Sequence, residues 1–276
     1  LTIQLGTVAP IGFKDFPPDR WLPCLRRLGC TSVQAYRNQH ASITRQDMID
    51  TIRACRMPCD SLHGVFGEEY DPSAPDEQAR LFAVETYKSE GELALALGGS
   101  LVVVHCSTIR HEGVSDEERA VRVSQLERSI RELGEFGKAR GVRYAFENLP
   151  PYHPVGWDVG ELADILRRVN APCTGMCFDT GHAHMVGDVA DAVDRTAGQM
   201  IYLHLSDNDS QSDSHEMPTY GTIDMDRMGR QLAAIGYTGT IMLEVFYPAE
   251  KMDELIAQGL GDRLARLLAL ARGTQP

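Results

Sequence analysis

The stretch "TGMCFDTGHAH", residues 174–184, decides how the chain reads. Its first half is an apolar run of the kind a strand covered on both faces requires. Asp179 ends the run, and His182 and His184 follow within a turn. A carboxylate at the exit of a buried strand is costly unless it is paired or coordinated. Whether this is an isolated feature or a rule depends on the rest of the chain.

Outward from this segment, short apolar and β-branched runs recur on both sides. Strands are expected at 2–7, 31–36, 58–63, 100–106, 142–148, 174–180, 200–207 and 239–246. Between them lie amphipathic segments with helix start signals. Ser115 with Glu118 reads as a capping box ahead of Leu126, Ile130 and Leu133, and Gly141 closes that helix. Asp158 with Glu161 repeats the signal before Leu162, Ile165, Leu166 and Val169, and Pro75, Asp76 and Glu77 suit a first helical turn. Strands that alternate with helices predict an α/β fold, and eight of them are the count of a (β/α)8 TIM barrel. The other arrangement of such units, a doubly wound open sheet, more often carries a glycine-rich phosphate turn after its first strand, which "GTVAPIGF" is not. No linker divides the chain, so residues 1–276 are expected to form one domain.

Composition narrows the function. The 276 residues carry a formal net charge of -12, with an isoelectric point near 5.2 and a mean hydropathy of -0.25. An acidic chain with four lysines and no basic run is poorly suited to an electrostatic grip on nucleic acid or anionic lipid. Seven scattered cysteines without a Cys-x-x-Cys pair are expected to be reduced, mostly buried thiols. The opening "LTIQLGTVAP" reads as a strand and not as a signal peptide, and no apolar stretch reaches membrane-spanning length. A soluble, cytoplasmic protein is the expectation.

In a barrel of this type the reactive groups sit where strands end, because the interior is packed and only that rim is open. Strand three ends on His63 and strand four on His105. Strand five delivers Glu147, strand six Asp179, strand seven His204 and strand eight Glu244. Imidazole nitrogens and carboxylate oxygens are the donors divalent metals take, and six consecutive strands finishing on them predict a metal site. His182 lies on the turn after Asp179 and joins this set, whereas His184 is left outside it. In the long loop after strand seven, Asp213 and His215 are two apart and point the same way in an extended segment. Asp207, Asn208 and Asp209 read as a solvated turn; His40, His111 and His153 read as loop or surface histidines; Met225 and Met228 read as core. Phe66, Tyr152 and Trp157 offer apolar walls for a substrate.

At these residues the chain resembles the xylose-isomerase-like barrel superfamily, which holds sugar isomerases and epimerases and the type IV AP endonucleases. The resemblance runs along nearly the whole chain and is carried by "SLHG", "VVVHC", "FENLP", "FDTGHA", "HLSDN", "DSH" and "MLEV" in that order. In the epimerase branch it implies one divalent ion held by Glu147, Asp179, His204 and Glu244. In the endonuclease branch it implies a multinuclear zinc site, with His63 and His105 sharing a metal with Glu147 and with His182, Asp213 and His215 holding another. The segments "HGVFGEEYDPSAPDEQAR" and "GTIDMDRMGRQLAAIGYTGTIMLEV" look like the isomerase and epimerase group, while "PTYGTID" departs from its glycine-rich pattern, with Tyr220 where Glu is common.

The chemistry expected is proton abstraction next to a carbonyl of a sugar, sugar phosphate or keto-polyol, through a metal-stabilised enediolate, with Glu147 and Glu244 as the proton carriers. A dehydratase acting on a keto-polyol or hydroxy-acid would use the same start and end in loss of water. An AP endonuclease-like phosphodiesterase would need a basic, wedge-bearing groove that the sequence lacks, and a metal-retaining binding barrel without turnover is the non-enzyme reading. The mixed imidazole and carboxylate set suits Mn or Zn, with Mg or Co also admitted. The substrate's identity and phosphorylation and the oligomeric state are not encoded in any motif.

Overall fold

The computed structural model describes residues 3–110, 113–196 and 198–275. The strands are β1 (Gln4–Ile11), β2 (Ser32–Arg37), β3 (Cys59–His63), β4 (Leu101–His105), β5 (Arg143–Glu147), β6 (Thr174–Asp179), β7 (Met200–Leu205) and β8 (Thr240–Leu243). They hydrogen-bond in chain order and close β8 onto β1, all neighbours parallel. The helices are α1 (Pro18–Arg27), α2 (Arg45–Cys55), α3 (Glu77–Leu97), α4 (Asp116–Arg140), α5 (Val159–Val169), α6 (Thr180–His184), α7 (Val189–Arg195), α8 (Met225–Ala234), α9 (Ala249–Ala257) and α10 (Leu260–Ala271). This is the expected (β/α)8 barrel.

The period-two alternation of a strand sorts its residues between two cores. Val102 and Val104, Tyr144 and Phe146, Met176 and Phe178, and Ile241 and Leu243 face the helices. Leu101, Val103, Ala145, Cys177, Tyr202 and Met242 face inward and form a separate layer inside the barrel. Two residues further along, the same inward face carries His105 after Val103, Glu147 after Ala145, and Asp179 after Cys177. It likewise carries His204 after Tyr202 and Glu244 after Met242. The site is therefore the layer directly above the apolar plug, and the pleat that buries the plug aims it.

Below the plug, Asp60 accepts four hydrogen bonds: from Ser61 Oγ (2.8 Å) and Tyr202 OH (3.0 Å) on one oxygen, and from Ser32 Oγ (3.0 Å) and Thr240 Oγ1 (2.7 Å) on the other. These ties join strands β2, β3, β7 and β8 at their N-terminal ends.

The expected first strand ran over 2–7, but β1 continues to Ile11. Pro10 permits this because β8 pairs with β1 only as far as Thr7, so at Pro10 the strand has a single partner and a missing N–H breaks no inner ladder. Thr2, at the start of that expected strand, and His111 lie outside the described residues. The helix expected to begin with Pro75 is capped instead by Asp76, whose carboxylate accepts from Ala79 N at 2.8 Å; Pro75 precedes the cap. Ser115 and Asp158 cap α4 and α5 as expected. All seven cysteines are free, and all but half-buried Cys173 are buried. Among the described residues no helix is long and apolar enough to cross a membrane.

Candidate functional site

Glu147, Asp179, His204 and Glu244 each offer a donor atom, and these four atoms lie within 4.8 Å of one another. All four side chains are buried. His204 Nδ1 stands 2.9 Å from Glu147 Oε1, 2.8 Å from Glu244 Oε2 and 4.0 Å from Asp179 Oδ2. One ring nitrogen carries at most one proton and cannot satisfy three carboxylates, whose burial is costly without positive charge between them. With the His204 Nδ1 bond directed at Glu147 Oε1, Glu147 Oε2, Asp179 Oδ2 and Glu244 Oε2 accept no well-aligned hydrogen bond. Donors bound tetrahedrally to one zinc at about 2.1 Å stand about 3.4 Å apart, so shifts of about an ångström or less would gather this set on a single ion. The residues present fit a divalent cation.

Asp179 answers the question its position raises. One oxygen, Oδ1, accepts from His182 N at 2.7 Å and caps α6, which leaves Oδ2 free to face the cluster. The backbone of Asp179 is held by Asn148, whose Oδ1 accepts from Asp179 N (2.7 Å) and whose Nδ2 donates to Asp179 O (3.0 Å). Burial, reinforced by the charges of Glu147 and Glu244 and opposed by His182, raises the Asp179 carboxyl to about 6. Its ionised form is thus the one that needs a cation nearby.

Two further groups flank the first. His63 and His105 approach Glu147 Oε2 with their Nε2 atoms at 3.8 and 3.3 Å. His182 and His215 approach Asp213 Oδ2 with theirs at 3.2 and 3.4 Å. Three of these rings are oriented by main-chain carbonyls, which can only accept. His63 Nδ1 donates to Gly64 O (2.9 Å), His182 Nδ1 to Asn148 O (2.8 Å) and His215 Nδ1 to Glu244 O (2.8 Å). Each therefore turns Nε2 toward the cavity, the arrangement found where imidazoles serve as ligands. Burial, outweighing the nearby Glu244 and Glu147, lowers His63 to about 4 and keeps it neutral. His215 sits at a φ of 48°, a left-handed backbone held by the loop around it, as strained residues at functional sites are.

The cavity above this cluster has a volume of about 310 Å³ and is lined by Glu147, Glu244 and the four histidines with Asp213. Phe66 and Tyr152 also line it. Trp157 does not: the loop after β5 is closed by the hydrogen bond from Leu149 N to Gly156 O (3.0 Å), which leaves Tyr152 and His153 at the cavity and returns Trp157 toward the cap of α5. His153, read as a loop histidine, is a lining residue, and so is Tyr36. The alternation that aims His63 also aims Tyr36, two residues beyond inward-facing Gln34, but a tyrosine ending an apolar run carries no ligand signal. His184 bonds Thr222 Oγ1 at 2.8 Å, away from the cluster.

Asp207 and Asn208, read as a solvated turn, are buried. Asp207 accepts from Asn208 N, Thr219 N and Ile223 N, and its backbone bridges to Glu216. Both residues pin the long loop so that Asp213 and His215 return over the barrel; only Asp209 is exposed.

The family model for the xylose isomerase-like TIM barrel matches residues 24–265. Over 180 residues the chain is 24% identical to an inosose isomerase of Bacillus licheniformis, covering 63% of each chain. It is 28% identical over 195 residues to a D-psicose 3-epimerase of Ruminiclostridium cellulolyticum, covering 67% of this chain and 62% of the relative. Each match spans less than two thirds of the relative's own length. A solved D-tagatose 3-epimerase-like protein superposes with a TM-score of 0.75 at 19% identity over 95% of this chain and 99% of its own.

Proposed function

The chain belongs to the xylose isomerase-like TIM barrel family, and from that premise we propose that it is a divalent-metal-dependent sugar isomerase or epimerase. The observation that carries this reading is the buried quartet of Glu147, Asp179, His204 and Glu244, with three carboxylates facing one imidazole nitrogen at the floor of an open cavity. The names of the isomerase and epimerase relatives support the class.

Glu147, Asp179, His204 and Glu244 would hold the ion, with Mn or Zn suiting the mixed donors best. When bound, a divalent cation supplies Lewis-acid stabilisation to the negative charge that develops on the substrate's carbonyl oxygen. Glu147 on β5 and Glu244 on β8 approach the same nitrogen of His204, at 2.9 and 2.8 Å, and both reach the cavity. One takes the proton from the carbon next to the carbonyl, and the other returns a proton to the opposite face. A positioned carboxylate contributes about 10²–10⁴-fold at such a step. Tyr36 and Phe66 wall the cavity and limit water at the reacting carbon.

The test is to load the protein with Mn²⁺ or Zn²⁺ and incubate it with ketohexoses in deuterated water. Incorporation of deuterium next to the carbonyl, with conversion to an epimer or aldose, is the expected result. Loss of water from the substrate instead would make the enzyme a dehydratase, and binding without exchange would make it a binding barrel. The two flanking histidine groups favour a multinuclear phosphodiesterase as the second reading. Counted ions per chain separate them: one for the epimerase, three for the phosphodiesterase.

A further inference from the structure

Resting on the epimerase reading, we propose that the substrate is an unphosphorylated keto-sugar that bears a second ring on its glycosidic oxygen. That ring lies in an aromatic chamber beside the reaction cavity. The chamber has a volume of about 670 Å³, against about 310 Å³ for the cavity beneath it. Tyr36, Phe66 and Gly67 line both, so the two spaces adjoin. The inner cavity alone lies at the small end of ligand sites, and most of the available space is outside it.

The chamber wall is built from Phe13, Phe16, Tyr36, Phe66, Tyr70 and Phe246, each half-buried with part of its surface open. Ring centroids of Phe13 lie 6.0 Å from Tyr36 and 5.9 Å from Phe246, and Tyr36 lies 5.2 Å from Phe246. The wall then runs down to the site: Tyr36 lies 4.6 Å from the His63 ring, and Phe66 stacks on His105 at 4.8 Å. Tyr36 lies at the end of β2 and the others follow β1, β3 and β8; the four strands are neighbours in the barrel, so the apolar surface is gathered on one side of the mouth. A contiguous open aromatic wall marks a surface that something covers. Its place beside the reaction cavity, with Tyr36 and Phe66 lining both, points to an occupant that is part of the molecule being turned over.

The charge of the chamber disfavours a phosphate in that place, with His40 exposed at its edge. Among the described lining residues there is no lysine, and the guanidinium of Arg37 is ion-paired with buried Glu90, while Glu69 adds negative charge. An aromatic aglycone and a second sugar ring share the chemistry this wall recognises, a carbon-rich planar face.

The experiment titrates the Mn²⁺-loaded chain calorimetrically with D-fructose, fructose 6-phosphate and the 3-keto derivatives of methyl β-glucoside, phenyl β-glucoside and cellobiose. At least one of the last two is expected to bind tenfold or more tighter than the methyl glucoside, and which one does so identifies the ring. Phe13→Ala with Phe246→Ala is expected to bring that preference to within threefold of parity. Phe13→Leu, which keeps bulk and removes the ring, guards against collapse of the loop and is expected to weaken it in part. Equal binding of all three glycosides, a preference that survives the double substitution, or tightest binding by the sugar phosphate would each overturn the proposal. So would a chamber covered by a second copy, seen as a dimer that the double substitution dissociates with no ring preference. If fructose binds and exchanges its proton while no ring preference exists, the chamber assignment alone falls. If Mn²⁺ binds and no sugar does, the epimerase reading falls with it.

Discussion

The two ends of the barrel each hold buried or half-buried carboxylates, and they treat them in opposite ways. At the N-terminal end, both oxygens of Asp60 are filled by hydroxyl donors from four strands. At the C-terminal end, Glu147, Asp179 and Glu244 crowd one imidazole nitrogen, and an oxygen of each accepts no well-aligned hydrogen bond. A satisfied carboxylate ties strands together and asks for nothing more. A group of unsatisfied ones costs stability in the free protein and is a place prepared for positive charge. One end fixes the fold, and the other uses the rigidity so obtained to hold a set that would otherwise fly apart.

Four substitutions test that division, and the largest effect is expected at the mouth. Glu147→Gln removes a proposed proton carrier and one negative donor, so turnover should fall by about 10³-fold or more. The urea midpoint should stay level or rise, because the substitution relieves like-charge crowding. An active Glu147→Gln enzyme in the exchange assay would end the proposed role. At the opposite end, Asp60→Ala strands the hydroxyls of Ser32, Ser61, Tyr202 and Thr240, and unfolding in urea should show a loss of about 2–4 kcal/mol. Ion stoichiometry below the transition should be unchanged; if the ion were lost and the stability kept, the contrast between the ends would collapse.

Asn148→Ala sharpens the comparison, because this residue touches no proposed ion yet fixes both the Asp179 backbone and, through its carbonyl, the region around His182. Its outer-shell position predicts about a 10–100-fold loss of Mn²⁺ affinity by titration calorimetry, with the barrel intact. The smallest effect is expected for His184→Ala. This side chain sits on the same turn as His182 but bonds Thr222, so metal affinity should not change and stability should move by less than about 0.5 kcal/mol.

Much of this was legible in the chain. Each of the eight apolar runs is a strand, because a strand covered on both faces leaves an uninterrupted signature that helices cannot mimic at that length. The strand-end side chains from His63 to Glu244 meet in one place because the pleat repeats every two residues and parallel register keeps the ends level. The first strand was read too short, since Pro10 breaks a strand only where two partners need its N–H. Asp207 and Asn208 were misread for a related reason: a turn-like composition does not say whether the turn is solvated or folded inward. His153 and most of the aromatic chamber gave no local signal. Phe66 is the one chamber residue the sequence singles out as a wall; Phe13, Tyr36 and Phe246 are scattered over the chain, and each looks like an ordinary apolar residue at its own strand.

The sequence by itself determined the barrel and the residue types at its open end, because both follow from periodicities that act over a few residues. Only the tertiary structure decided which oxygen of Asp179 caps a helix and which faces the cluster, which nitrogen of His63, His182 and His215 turns inward, and that aromatic rings from three loops and the end of β2 form one wall. Those outcomes depend on contacts between segments tens to hundreds of residues apart, and no short-range pattern carries that information.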